Sequence, residues 1–418
     1  MEDNQSSGSS SGGFLNDEID LIDTYSIPVP TITYRHVALC PMHLEEAQHY
    51  NTPKEDTDAN DEAIDEAFKG LSTYAHVAQR VNIGSQRLLM SWGGRFDPEL
   101  CNFTKVQKFD MANKTWLKPV GESLQDPNGS LYYHSLNFNP VNNCLYVLGG
   151  VRDDGNNYSL DMLKYNVVED SWKSFAFSGS SPCSGIYGHV CVYRSVANQL
   201  VVFGGLNPTN ENDTDIYVLD CATDEWLEPI VPKIPYHSVS FSQAVYSPGL
   251  DAMIVYAGEV GEDNTEPYLT CELALFSFKT SSWSVVKFED TEFSAFPQPL
   301  YGHTLCLIDD RFVLTHGGCV QGDRFPKDDC FIFDLTRKEW SSCPELGRKA
   351  GKLLCSTLTH DPLEKNLFFY GGTTVGGEII QVKYKFTKEF FFTERLFKTV
   401  CNSKLCDIRI NFKDEFYE

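Results

Sequence analysis

The sequence is poor in basic residues and has no long apolar run. Lysine and arginine number 34 against 58 acidic residues, a formal net charge of −24 at pH 7. Nucleic acids and anionic lipid surfaces are bound through local excesses of lysine and arginine, so this balance argues against both as partners. No stretch approaches the ~20 apolar residues that span a bilayer, and no charged-then-apolar signal pattern opens the chain. We therefore expect a cytosolic protein without a membrane span.

Metal-binding and catalytic signatures are also missing. The 14 cysteines lack the CxxC spacing of zinc sites, and most lie within apolar runs, which indicates reduced, buried thiols. No HExxH, Walker loop, GxSxG or paired-carboxylate signature occurs. The sequence therefore predicts no cofactor, no metal and no enzymatic activity.

The first 72 residues differ from the rest of the chain. Residues 1–30 combine a serine- and glycine-rich run with acidic residues, a composition typical of a disordered tail. Within 31–72 we expect a strand at 31–40 and a short helix at 61–71 with an acidic first turn. Half of the net charge, −12, falls within residues 1–75.

From residue 76 onward the sequence repeats with a period near 55 residues. A small-residue pair closes an apolar run in each repeat, at Gly93-Gly94, Gly149-Gly150, Gly204-Gly205, Ala257-Gly258, Gly317-Gly318 and Gly371-Gly372. A tryptophan follows the first five pairs after 22 to 26 residues, at Trp116, Trp172, Trp226, Trp283 and Trp340. Two regular markers in one register predict six structural repeats.

Each repeat contains two further strand-like elements. One precedes the tryptophan and is a strand-like segment in which residues alternate between the two faces. The other opens most repeats and begins with a tyrosine and a histidine, at His76, His134, His189, His237 and His303. Four short antiparallel strands per repeat pack most economically as sheets arranged around an axis. The sequence therefore predicts an all-β, six-bladed β-propeller with four-stranded antiparallel blades.

The order of these elements resembles the kelch repeat over residues 73–395. The resemblance implies a propeller in which the double glycine allows tight backbone turns and the aromatic side chains pack blade on blade. It also implies that the loops after each glycine pair bind partner proteins. The last repeat lacks tryptophan and an opening histidine, so we expect the strand at 31–40 to complete this blade.

Residues 396–418 include the segment Lys404–Phe412, which is similar to the start of a BTB domain; a strand that caps the last blade is the alternative. A propeller followed by a BTB domain resembles the leucine-zipper-like regulators. That resemblance implies a small GTPase of the Ras group as a partner of the propeller. It also implies self-association or ubiquitin-ligase recruitment through the BTB part.

The recurring histidines are the best candidates for metal ligands or catalysts. A packing position recurs in every repeat, whereas a metal site draws ligands from unlike positions. We therefore interpret the histidines as core residues.

The loops after the glycine pairs, at 95–101, 151–159, 206–215, 259–268, 319–329 and 373–378, carry a net charge of −11. This is nearly the whole net charge of −12 of residues 76–418. We predict an acidic docking surface for a basic partner protein, although solubilisation of exposed loops explains the same charge. The candidate partner-binding residues are Arg95, Asp97, Arg152, Asp153, Glu211, Asp213, Glu259, Glu262, Asp263, Arg324, Tyr133, Tyr187 and Tyr301.

The arginines among these candidates have two interpretations. Arg95 and Arg152 can bind partner carboxylates or neutralise neighbouring Asp97 and Asp153. The tyrosines are candidate hot spots, although their recurrence favours packing.

We predict an adaptor or scaffold; the alternatives are a cell-polarity or cytoskeletal kelch scaffold and a propeller enzyme such as a metal-dependent lyase or isomerase.

Overall fold

All regular elements of the described residues are β-strands. The structure is a computed structural model that describes residues 41–50, 73–74, 77–96, 106–117, 131–151, 162–173, 178–180, 185–207, 214–261, 266–286, 297–321, 326–346, 348–372 and 379–386. All of them belong to one compact unit, Val37–Glu394. The predicted tail at 1–30, strand at 31–40, helix at 61–71 and extension at 396–418 lie outside the described residues.

Six antiparallel sheets, here blades I to VI, follow one another along the chain. Blade I contains Val77–Ile83, Gln86–Trp92, Gln107–Asp110 and Thr115–Leu117; blade II contains Ser135–Asn139, Cys144–Leu148, Met162–Asn166 and Ser171–Lys173. Blade III contains Val190–Arg194, Gln199–Phe203, Tyr217–Asp220 and Glu225–Trp226; blade IV contains Gln243–Ser247, Ala252–Val260, Tyr268–Ser277 and Ser282–Val286. Blade V contains Thr304–Ile308, Phe312–His316, Cys330–Asp334 and Glu339–Ser342; blade VI contains Thr357–Asp361, Asn366–Tyr370 and Ile379–Phe386.

Two short pairings supplement the blades. Ser178–Gly179 runs parallel to the fourth strand of blade III, and Thr73–Tyr74 pairs with Arg95–Phe96. The first strand of each blade contacts the first strands of both neighbouring blades, including those of blades VI and I. The six first strands thus form a closed ring around a cavity of about 650 Å³. The predicted six-bladed propeller is confirmed.

The repeated tryptophans join consecutive blades. Each lies on a fourth strand, and in blades I, II, IV and V it packs on an aromatic ring of its own third strand, as in Trp172 on Tyr165, with ring centroids 5.1 Å apart; Trp226 of blade III lies opposite Leu219 instead. Each ring also meets the preceding blade in blades I, II, IV and V; Trp172 lies 5.1 Å from Trp92, and Trp116 of blade I lies 5.6 Å from Tyr370 of blade VI. The aromatic residues therefore form the blade-to-blade core that the repeat predicted.

The second residue of every small-residue pair is glycine, because it crosses over the start of the first strand of its own blade. Gly205 has a φ of +85°, and a Cβ there would lie 2.7 to 2.8 Å from Cβ, Cα and N of His189. Only glycine allows both this backbone conformation and this approach. The first position approaches the start of the next blade, since a Cβ on Gly204 would lie 2.2 Å from the carbonyl oxygen of Val239. In blade IV, Ala257 occupies this position with a φ of +55°.

The N-terminal segment completes blade VI. Met42–Leu44 and Gln48–Tyr50 both pair antiparallel with Ile379–Phe386. Met42 and Leu44 are fully buried in a cluster shared by blades V and VI. Residues 42–50 therefore provide the outer strand of the blade that lacks a tryptophan.

Ion pairs and hydrogen bonds hold the seam between blades VI and I. Arg87 of blade I pairs with Asp361 and Glu364 of blade VI. Lys114 lies 3.1 Å from Glu364, and Arg80 donates a hydrogen bond of 2.9 Å to the carbonyl oxygen of His360. Asp361 is almost completely buried, so the seam satisfies this charge with a hydrogen-bonded partner.

Candidate functional site

The central cavity extends along the first strands, and we call the end where these strands begin the mouth. One residue per blade lines it with a positive φ, namely Tyr133, Gly188, Phe241, Gly302 and Cys355 in blades II to VI. Each of the last four donates its backbone N–H to the carbonyl oxygen of the one before it, over 2.8 to 3.4 Å. A belt of backbone hydrogen bonds therefore fixes the mouth.

Large side chains and glycines alternate around the mouth. A Cβ on Gly188 would lie 3.1 Å from the Phe241 ring, so glycine makes room for this ring over blade III. There Phe241 meets Tyr133 at 5.1 Å and Tyr187 at 6.1 Å between ring centroids, both edge to face. The three rings are half-buried. Rigid aromatic side chains with one accessible face are the usual anchors of protein interfaces.

A second circle of residues surrounds the mouth, formed by the residue directly after each small-residue pair. Each pairs with the residue that precedes the mouth position of its own blade: Tyr74 with Arg95, Tyr132 with Val151, Tyr187 with Leu206, Ser240 with Glu259, and Tyr301 with Cys319. The predicted loops begin beyond this circle. Glu259 therefore lies at the end of a strand, Ala252–Val260, and not in a loop as predicted.

Glu259 and Tyr301 are neighbours on adjacent blades. Burial raises the pKa of the half-buried Glu259 carboxyl. Burial, Cys319, Cys355 and the Glu259 charge together raise the pKa of Tyr301 to about 12. No ion pair among the described residues includes Glu259. Within the described part of the chain, its carboxylate therefore has no cationic partner.

Three predicted site residues, Tyr133, Tyr187 and Tyr301, lie at or beside the mouth. Arg95 occupies the second circle in blade I, across the ring from Glu259 in blade IV. The remaining predicted residues lie outside the described part of the chain: Asp97, Arg152, Asp153, Glu211, Asp213, Glu262, Asp263 and Arg324. The structure adds Phe241, which the sequence reasoning missed because blade IV lacks the usual Gly-His opening.

The prediction that the recurring histidines are core residues is confirmed in three blades and wrong in one. His134, His189 and His303 are buried where their first strands begin. In blade IV, Ser242 takes this place, whereas His237 lies five residues upstream, with Nε2 3.5 Å from a Glu272 oxygen. His76 lies outside the described residues. Within the described part of the chain, no three histidine, cysteine or acidic side chains are grouped as metal ligands.

Burial keeps the core histidines neutral. It lowers the pKa of His189 to about 4 and that of His303 to about 3, from an ordinary value of 6.5. His303 packs against Tyr256 at 5.2 Å between ring centroids, and His189 Nε2 lies 2.9 Å from the Ser135 hydroxyl of the preceding blade. These contacts join blades, so the histidines serve the core.

We expect the protein to lose stability as the pH falls below 6.5. The unfolded chain takes up protons on its histidines near that pH, whereas folded His189 and His303 stay neutral until about pH 4 and below, so protonation favours unfolding. Urea unfolding followed from about pH 7.5 to about pH 5 measures this loss. A His303→Leu variant should show a smaller loss than the wild type; an identical pH dependence would contradict this assignment.

The fold and its mouth define a closed six-bladed propeller whose mouth carries aromatic residues. The family model described as "KLHDC2/KLHL20/DRC7 Kelch-repeats domain" matches residues 75–239 and 188–385. The chain belongs to the kelch-repeat family.

Curated relatives match through this region. The leucine-zipper-like transcriptional regulator 1 homolog of Drosophila melanogaster is 26% identical over 56% of this chain and 23% of its own length. Human kelch domain-containing protein 3 is 28% identical over 29% of this chain and 32% of its own length. The putative protein tag-53 of Caenorhabditis elegans is 22% identical over 68% of this chain and 21% of its own length. The match spans less than a third of each relative.

The solved structure of YjhT superposes with a TM-score of 0.55 and 15% identity over 75% of this chain and 97% of that chain. This likeness shows the propeller fold alone. Among the described residues, no helix is long and apolar enough to cross a membrane.

Proposed function

We propose that the protein is a non-enzymatic adaptor or scaffold that binds a partner protein at the mouth of its propeller. The half-buried cluster of Tyr133, Tyr187 and Phe241 carries this proposal. The backbone belt holds these rings in place, so binding costs little side-chain ordering. Family membership supports the same conclusion, because kelch propellers generally bind proteins.

The partner presents a basic surface in this proposal. The loops that follow the second circle carry most of the acidity of the body, and Glu259 brings one negative charge to the mouth itself. Opposite charge on a partner raises the association rate and makes binding sensitive to salt. Arg95, at the equivalent position of blade I, offers a complementary charge for an acidic group on the same partner.

We further propose a cytosolic protein that regulates a Ras-type small GTPase, with residues 396–418 belonging to a BTB part that mediates self-association or ubiquitin-ligase recruitment. The similarity to the leucine-zipper-like regulator homolog supports this assignment. Cys144, Cys221 and Cys306 are buried and form no disulfide, as expected in a reducing compartment.

Affinity capture with the full chain, followed by mass spectrometry, tests the proposal. Replacing Glu259, Glu262 and Asp263 with serine should weaken binding of the captured partner about tenfold at low salt and flatten its salt dependence, because rim charges act through long-range attraction. A control variant with Glu169, Glu225 and Glu228 changed to serine removes the same charge from exposed positions of blades II and III. The acidic-surface proposal fails if both variants bind like the wild type, and the adaptor proposal fails if no protein is captured.

A further inference from the structure

Among the described members of the second circle, Glu259 is the acidic residue and Arg95 of blade I is the basic one. The equivalent residues in blades II, III and V are the apolar Val151, Leu206 and Cys319. Val151 packs in a cluster with Tyr132, Tyr133 and Tyr187, which shows that a small apolar side chain suits this position. A recurring residue at a repeat position indicates packing, so a charged residue at this one indicates a different role.

Two aromatic residues are near Glu259 along the backbone. Gly258 donates its backbone N–H to the carbonyl oxygen of Leu300 over 3.0 Å, so the next residues, Glu259 of blade IV and Tyr301 of blade V, are neighbours, and the Glu259 charge contributes to the raised pKa of Tyr301. On the other side, Ser240 exchanges two backbone hydrogen bonds with Glu259, of 2.8 and 2.9 Å, and Phe241 follows Ser240 directly. Glu259 is therefore a neighbour of Tyr301 across the blade boundary, whereas the Phe241 ring lies over Gly188 of blade III.

The surroundings of Glu259 favour a positively charged ligand. A half-buried carboxylate without a paired cation loses hydration, which costs free energy. A lysine or arginine side chain that arrives from outside restores an opposite charge, and the face of an aromatic ring within about 6 Å adds a cation–π attraction. An anionic or purely apolar group would leave the carboxylate unpaired.

We propose that Glu259 and Tyr301 form a binding site for one lysine or arginine side chain of the partner. This inference rests on the proposed function and makes it specific, because it assigns recognition to one cation at the mouth and not to the diffuse charge of the loops. The Glu259 carboxylate is the counter-ion, and the Tyr301 ring bounds the site. Glu259 is then a residue retained for binding at a cost in stability.

Two measurements on the isolated protein separate this role from a structural one. Glu259→Gln keeps the shape of the side chain and removes the unpaired charge, so we expect a higher melting temperature than in the wild type. Glu266→Gln is the matched control, because Glu266 is exposed beside the third strand of the same hairpin, and it should leave the melting temperature unchanged. A lower melting temperature for Glu259→Gln would assign Glu259 to the fold and overturn the proposal.

The binding test pans the full chain against a phage-displayed library of random peptides. We expect the selected peptides to share a lysine or arginine. Replacing it with norleucine or citrulline, which lack the charge, should weaken binding to the wild type about tenfold. Replacement should have little further effect on Glu259→Gln, which should bind the original peptide about tenfold more weakly.

The outcomes distinguish the two proposals. Selected peptides without a common basic residue, or equal binding by Glu259→Gln and Glu266→Gln, overturn the cation site and leave the adaptor function standing. A second variant, Tyr301→Leu, should weaken the basic peptide while Tyr301→Phe retains it, because the ring and not the hydroxyl faces the cation. Failure to select any peptide, together with failure to capture a protein, counts against both proposals.

Discussion

Replacing Gly205 with alanine should lower the free energy of unfolding by about 4 kcal/mol, the sum of backbone strain and overpacking. The backbone at Gly205 has a φ of +85°, which side chains of L-residues avoid. The added Cβ would also approach three atoms of His189, two of them in the backbone, at 2.7 to 2.8 Å. A backbone atom cannot move aside as a flexible side chain can, so the first strand of blade III must shift.

Gly351 provides the matched control. Its φ is +94°, and a Cβ there would find no heavy atom within 4 Å. Gly351→Ala should therefore show the strain alone, about 1 to 2 kcal/mol. Equilibrium unfolding in urea measures both variants. Equal losses in the two variants would mean that the close approach of Gly205 to the histidine contributes nothing.

The fold could be predicted because its strongest constraints recur. Close approach of blades demands a glycine near the end of each second strand, and filling the wedge between blades demands a large ring on the fourth strand. Both requirements place a characteristic residue at a fixed spacing in the sequence, as Gly204 and Trp226 show for blade III. The repeat pattern is weaker in blade IV, because Ser242 stands where other blades have the opening histidine. The Tyr236-His237 pair, which resembles that opening, lies five residues earlier.

The ring closure could not be located from sequence. Met42–Leu44 and Gln48–Tyr50 are only three residues long, too short for an alternating pattern to stand out. Their place in blade VI depends on burial of Met42 and Leu44 against blades V and VI, which are distant in the chain. Tertiary contacts of this kind leave no local periodicity.

The candidate site was predicted in part. The sequence located the loop face, and Tyr133, Tyr187, Tyr301 and Glu259 lie at the mouth. It missed Phe241, whose place depends on a positive φ and on the space above Gly188. The sequence also did not show which tyrosines occupy equivalent positions in the blades. In the strand register, Tyr132, and not Tyr133, corresponds to Tyr187 and Tyr301. The exception at Glu259 became visible only after this register was known.

Replacing Leu44 with alanine should lower the free energy of unfolding by about 3 kcal/mol, because the site loses a buried side chain and gains a cavity. Leu44 is fully buried with Met42 in the cluster that joins blades V and VI. Its strand is tied on both edges, through the ladder to Ile379–Phe386 and through the backbone bonds from Leu44 N to Pro344 O and from Leu346 N to Leu44 O, of 2.9 and 2.8 Å. Loss of packing here should therefore loosen the whole closing strand.

Leu346 is the natural control, since it is bonded to Leu44 through the backbone but is 54% exposed. Leu346→Ala should change stability by no more than about 0.5 kcal/mol, as expected for a surface position. Hydrogen exchange gives a second readout: in Leu44→Ala the amides of Ile379–Phe386 should exchange faster, while those of blade III keep their protection. Unchanged exchange along Ile379–Phe386 would mean that the ring does not depend on residues 42–50 for its closure.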